Sequence, residues 1–171
     1  MPTRPERAPV MMSELSADEV SALGSCLAGG LSPHDTVLLS GPIGAGKTHL
    51  ARAIIQALLQ SDGRSEDVPS PTFTLLQEYE AAGATIAHAD LYRVRDRADL
   101  AEIGLLEGFG RRLTLVEWPE LLGDDAPAER IEIALLPDRT GELRTVTMTA
   151  ATPRLRSLAE GCAARLGRRG A

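Results

Sequence analysis

Aromatic side chains make up only 3% of the sequence, so the core is aliphatic and no ladder of rings exists on which single-stranded nucleic acid could stack. Basic charge is also short. A net charge of -6 argues against a broad surface that neutralises phosphate backbones, which leaves direct nucleic-acid binding disfavoured. No stretch is long and apolar enough to span a bilayer, and the opening residues MPTRPERAPVMM carry charges without an apolar run before a cleavage site. The expectation is a cytoplasmic protein. There are two cysteines, Cys26 and Cys162, far apart and without CxxC spacing. Both fall on apolar faces of predicted helices, which favours small buried hydrophobes over a disulfide or a metal site.

What is present fits one domain. The 171 residues suffice for a single core, and we expect a loose tail over residues 1–12 followed by a domain over 13–171. Ser16 and Glu19 have capping-box spacing, and Val20, Leu23 and Leu27 share a helical face, which predicts a helix over about 16–28. The run TVLLS at 36–40 reads as a strand, and Leu50, Ile54, Leu58 and Leu59 sit at helical spacing beyond it. The runs TFTLLQEY and ATIAHADLY predict a hairpin, residues 98–109 a weak helix with Gly104 and Gly108 lowering its propensity, and RLTLVEW at 112–118 another strand. RIEIALL and ELRTVTMT read as a second hairpin, and Thr152-Pro153 opens a terminal helix along Leu155, Leu158, Cys162 and Leu166. The fold class expected is α/β: a P-loop NTPase-like single domain whose mixed sheet, parallel plus antiparallel hairpins, is flanked by helices.

The chemistry concentrates between that first strand and the helix after it. Gly41-Pro42-Ile43-Gly44-Ala45-Gly46-Lys47-Thr48 matches GxxxxGK(S/T), the P-loop or Walker A motif, in its strand–loop–helix context. Glycines let backbone N–H groups curl around phosphate oxygens, and the helix N-terminus presents its positive dipole end to the same anions. Lys47 would bridge β- and γ-phosphates and the Thr48 hydroxyl would ligate Mg²⁺. The chain has seventeen arginines and one lysine, and that lysine is Lys47. A compact ammonium is used only where a planar guanidinium would not fit. Guanine-specific P-loop proteins share an NKxD segment; this sequence has no asparagine and no other lysine, so ATP is the expected nucleotide.

Two carboxylates close strands elsewhere. Glu117 ends Leu113-Thr114-Leu115-Val116, where a strand can deliver a Mg²⁺ partner for Thr48, although a surface glutamate at a strand end would look the same. Asp90 ends Ile86-Ala87-His88-Ala89 and either orients a water for attack on the γ-phosphate or caps the following turn. His88 shares a face with Asp90 and is expected to pack or hydrogen-bond, since no second ligand accompanies it.

The string GPIGAGKT, SPTFTL at 70–75, HADLYR at 88–93 and LVEWPE at 115–120 resembles the TsaE (YjeE) family of bacterial ATPases over about residues 13–150. That family acts in making the threonylcarbamoyl modification on adenosine 37 of tRNA. The resemblance implies that Thr48 and Glu117 coordinate Mg²⁺, that Ile43 to Thr48 wrap the phosphates, and that Asp90 is needed for ATP turnover. It places Thr72 in a switch-like loop near the γ-phosphate and Trp118 beside the site, where packing would equally explain a sole tryptophan. It also implies an accessory ATPase that docks on a complex of TsaD and TsaB and meets tRNA only through them; because no arginine can be assigned from sequence to the developing charge, slow turnover is expected of the chain alone. His49 departs from the pattern, standing where the family often has a second threonine. Two other readings remain open from sequence: a small-molecule kinase, with Arg93, Arg95, Arg97, Arg111 and Arg112 as lid cations, and a non-catalytic ATP-sensing scaffold.

Overall fold

A computed structural model describes residues 8–167. Its elements, in chain order, are β1 (Val10–Leu15), α1 (Ala17–Ala28), β2 (Thr36–Ser40), α2 (Lys47–Ser61), β3 (Leu76–Ala81), β4 (Ala84–Asp90), α3 (Arg97–Glu102), β5 (Leu113–Glu117), β6 (Arg130–Pro137), β7 (Arg144–Ala150) and α4 (Pro153–Gly167). Short 3₁₀ turns occupy Leu106–Gly108 and Pro119–Asp125. Seven strands form one mixed sheet in the order β1-β7-β6-β2-β5-β4-β3. β2 runs parallel to both β5 and β6, and β4 parallel to β5, while β3–β4, β6–β7 and β1–β7 are antiparallel. The α/β class with a mixed sheet is as expected.

Alternation along the central strands supplies both faces. Val37, Leu39, Leu113 and Leu115 pack toward α1, α2 and α4 together with Leu50, Ile54, Ile55 and Leu59. Leu38, Ala89 and Val116 face the other way, against Leu91, Leu100, Leu105 and Leu122. A strand covered on both sides must be apolar at nearly every position, which is why TVLLS and LTLV read as unbroken runs. Each fully buried leucine or isoleucine stabilises the fold by roughly 1.5–3 kcal/mol. The expected capping box is formed: Ser16 Oγ accepts from the Glu19 N–H, and Glu19 accepts from the Ser16 N–H at 2.8 Å.

The structure corrects four expectations. β1 starts at Val10, so residues 10–12 belong to the sheet and not to a tail; residues 1–7 lie outside the described part. Its alternation is broken by a register shift between Met12 and Leu15, with Glu14 at φ 60°, and that hides it from a period-two search. The extended run beginning at Thr72 starts later: Thr72 to Leu75 form a turn and pairing begins at Leu76. The single weak helix over 98–109 is instead α3 and a separate 3₁₀ turn, divided at Gly104 with φ +70°. Cys26 and Cys162 form a disulfide between α1 and α4. Separated by 136 residues in the chain, they are brought to a Cα–Cα distance of 5.7 Å because both helices pack on one face of the sheet. Their place on apolar helical faces was readable, with Cys162 buried and Cys26 half-buried; their pairing depends on how those helices dock.

Candidate functional site

The parallel strands β2, β5 and β4 all end on one edge of the sheet, with Leu39 in register with Glu117 and Asp90 in register with Glu117. Ligand sites in open α/β sheets form outside such carboxyl ends. Here the edge carries a cavity of about 240 Å³ lined by Ile43, Gly44, Gly46, Lys47, Thr48, Thr72, Asp90, Tyr92, Glu117 and Trp118.

The loop between β2 and α2 forms one wall. Gly41, at φ +140°, leaves no room for a side chain, because a Cβ there would stand 2.3 Å from the Leu135 carbonyl oxygen. Gly46 takes φ 103° as the residue before α2 and offers no capping side chain. The first N–H groups of α2 therefore stay unpaired until Leu50 bonds back to Gly46 at 2.9 Å. A helix end of this kind, built from backbone, is able to receive an anion. Arg144 braces the loop from β7, its Nε donating to the Ala45 carbonyl at 3.1 Å.

Lys47 is 5% exposed, and its ammonium donates to the carbonyls of Gly41 at 2.7 Å and Pro42 at 2.8 Å. Burial pushes its pKa below the ordinary lysine value, opposed by the negative fields of Glu117, Asp90 and Glu120. The Trp118 ring lies over it, Nζ standing 3.9 Å from the ring centroid, and Tyr92 packs against that ring with centroids 4.9 Å apart. Trp118 holds this position in a left-handed backbone conformation, φ 57° and ψ 57°, which for a side chain of this size stores on the order of 1–3 kcal/mol.

At the start of α2, directly after the loop, the Thr48 hydroxyl donates to Glu117 Oε2 at 2.8 Å. A hydroxyl and a carboxylate oxygen held this close, beside an anion-binding loop, fit the hard-oxygen donor set that Mg²⁺ takes. Asp90 is 4% exposed and accepts from the Thr72 hydroxyl at 2.9 Å and from the Tyr92 N–H at 2.9 Å. Thr72 thereby ties the turn after Ser70 to the end of β4.

Nine of the nominated residues line one cavity: Ile43, Gly44, Gly46, Lys47, Thr48, Thr72, Asp90, Glu117 and Trp118. Gly41 and Ala45 stand behind it, shaping the loop; Ala45 is fully buried. Tyr92 was not nominated, and the only signal was its place two residues after Asp90. His49 points away from the cavity, its Nε2 2.8 Å from Ser21 Oγ and 2.9 Å from the Ala17 carbonyl oxygen, so it joins α2 to α1. Among the described residues no arginine lines the cavity. Arg93 lies over the exposed Phe73 ring, Arg97 pairs with Asp125 and Arg112 with Glu78. No helix among the described residues is long and apolar enough to cross a membrane.

The chain is 40% identical over 120 residues to the tRNA threonylcarbamoyladenosine biosynthesis protein TsaE of Rickettsia conorii, covering 70% of this chain and 67% of that protein. It is 34% identical to the Bacillus subtilis TsaE protein over 148 residues, or 85% and 89% of the two chains. The crystal structure of Bacillus subtilis YdiB superposes with a TM-score of 0.70 at 27% identity, over 95% of this chain and 97% of that one. The family model described as threonylcarbamoyl adenosine biosynthesis protein TsaE matches residues 15–146, a span from the end of β1 into β7 that contains every residue of the cavity, and the chain belongs to that family.

Proposed function

We propose that this chain binds ATP with Mg²⁺ in the cavity at the end of β2, β4 and β5 and hydrolyses it slowly, as an accessory ATPase of tRNA threonylcarbamoyladenosine synthesis acting on a complex of TsaB and TsaD. The observation that carries this reading is the Thr48–Glu117 hydrogen bond of 2.8 Å set against the uncapped start of α2. It joins a divalent-cation donor pair to a phosphate-binding helix end in one cavity.

In this reading the N–H groups of the Gly44–Thr48 loop hold the phosphate oxygens and Lys47 exchanges its two loop carbonyls for them. Mg²⁺, held by Thr48 and Glu117, would neutralise charge developing on those oxygens. Asp90 accepts the hydrogen bond that orients a water, once Thr72 releases the Oδ2 it now occupies. Release of Thr72 requires the 70–75 turn to move, which makes that turn the element through which the γ-phosphate is sensed. The lack of an arginine in the cavity lining accounts for slow turnover, and it counts against a kinase, whose lids bring arginines over the phosphates.

The test is steady-state hydrolysis of ATP by the purified chain, alone and with its cognate TsaB and TsaD, in Mg²⁺ and in EDTA. Low Mg²⁺-dependent turnover that rises with the partners supports the proposal. Turnover proportional to an added small-molecule acceptor would establish the kinase reading, and tight binding with no hydrolysis under any condition would establish a scaffold.

A further inference from the structure

His88 has no part in the chemistry described so far, yet it is wholly buried in β4 and its Nε2 lies 2.8 Å from Glu117 Oε1. Glu117 is itself only 2% exposed on its side chain, and its other oxygen, Oε2, takes the Thr48 hydroxyl. Since an ionised carboxylate only accepts, the contact puts a proton on His88 Nε2. The two oxygens of Glu117 are thus divided, one anchored from beneath by imidazole and one turned to Thr48.

The other ring nitrogen makes the case sharper. Among the described residues, His88 Nδ1 is buried without a hydrogen-bond partner. Leaving a buried polar atom unpaired costs about 1–3 kcal/mol. The position faces the main apolar cluster, between Ile86 and the site, in register with Leu115 of β5. A leucine would leave no unpaired ring nitrogen, but it would take away the hydrogen bond that the buried Glu117 Oε1 receives. The histidine thus keeps one unpaired nitrogen for the sake of its contact with Glu117, and such departures from local consistency gather at functional sites.

We propose that His88 is a positioning residue for the metal-binding carboxylate: it fixes the rotation of Glu117, so that Oε2 faces Thr48 and the cation without a rearrangement when Mg²⁺ arrives. The inference rests on Glu117 being the Mg²⁺ partner. Loss of partners that orient a metal ligand typically costs 10–100-fold in metal affinity. Nucleotide binding without metal does not depend on this rotation, because the phosphate cradle is built from backbone N–H groups of the Gly44–Thr48 loop and not from Glu117.

The experiment is calorimetric titration of a non-hydrolysable ATP analogue into wild type, His88→Leu, His88→Gln, His88→Asn and Glu117→Gln, across Mg²⁺ concentrations and in EDTA. His88→Leu should raise the Mg²⁺ concentration needed for half-maximal enhancement of binding by about 10–100-fold and leave affinity in EDTA unaltered. Gln places an amide N–H near the position of imidazole Nε2 and should restore the wild-type Mg²⁺ dependence, whereas the shorter Asn should not. Should His88→Leu fail to fold, the Gln–Asn contrast decides. Wild-type Mg²⁺ dependence in His88→Leu, equal losses with and without metal, or no difference between Gln and Asn overturns the positioning role. A Glu117→Gln variant with unaltered Mg²⁺ dependence instead removes the metal reading on which it rests.

Discussion

Lys47 is the residue on which the candidate site turns, because its ammonium is the one cation in the cavity lining. In the described state two carbonyls and an indole face satisfy it. Phosphate must compete with all three. Lys47→Ala should weaken binding of an ATP analogue on the order of 100-fold or more while thermal unfolding stays cooperative, as expected when a preorganised charge contact is removed. Lys47→Arg should fail as well, since a planar fork cannot take the place of a point charge between the Gly41 and Pro42 carbonyls. Wild-type binding by the arginine variant would show that the lone lysine carries no such meaning. The two carboxylates should separate kinetically. Glu117→Gln is expected to weaken the Mg²⁺ dependence of binding, and Asp90→Asn to lower kcat with little change in nucleotide affinity. Identical defects in both would merge the two roles.

At the scale of elements, the site depends on how closely α1 lies on α2. A Cβ on Gly24 would come within 2.6 Å of Ala53 Cβ, so the two helices approach to backbone contact at that point. Alanine is favoured over glycine in a helix by about 0.8–1.0 kcal/mol, but overpacking a tight contact costs about 1–3 kcal/mol. The second effect should win. Gly24→Ala is expected to destabilise the fold by about 1 kcal/mol in urea denaturation, and a gain in stability would mean that α1 can move away freely. His49 binds across the same interface to Ser21 and Ala17, immediately after Thr48. A shift of α1 should therefore also be read as weaker Mg²⁺-dependent nucleotide binding in the Gly24 variant, measured on the same samples.

For the whole molecule, the Cys26–Cys162 bridge ties the first helix to the last and encloses most of the chain. Cross-links closing long loops stabilise mainly by restricting the unfolded chain, typically by 2–4 kcal/mol. A reductant should lower the free energy of unfolding by about that amount without changing the folded circular dichroism, because Leu23, Leu27, Leu155 and Ala159 still hold the helices to the sheet. No change with reductant would leave the bridge without weight in the fold. At this scale, too, lies the test of the proposed partners. On the proposed ATPase reading, no arginine lines the cavity beside Lys47, and a contact of that kind supplied by another surface would raise turnover by ~10³-fold or more. Exposed Ile43 and Tyr92 line the cavity, and exposed Phe73 follows Thr72 of its lining in the chain. The ATP-bound chain should associate with TsaB and TsaD more tightly than the ADP-bound chain, as measured across partner concentrations. Equal affinities in every nucleotide state, without stimulated hydrolysis, would leave the family intact and sink the switch.

Much of this protein follows from local patterns that need no third dimension. A glycine loop between an apolar strand and an amphipathic helix specifies its own backbone, so Gly41 to Thr48 were legible as a candidate site, and unbroken runs such as TVLLS and LTLV announced strands buried on both faces. Asp90 and Glu117 were legible as carboxylates ending strands, and Ser16 with Glu19 as a capping box. Other features are relations between distant segments, and sequence spacing carries no information about them. The edge strand β1 is held by pairing to β7, near the other end of the chain, and its bulge at Glu14 masks its alternation. The disulfide exists because α1 and α4 settle on the same sheet face. The division of the Glu117 oxygens between Thr48 and His88 was decided only when the parallel register of β4 and β5 set the imidazole beneath the carboxylate, since a hydrogen bond is a matter of position and not of residue type.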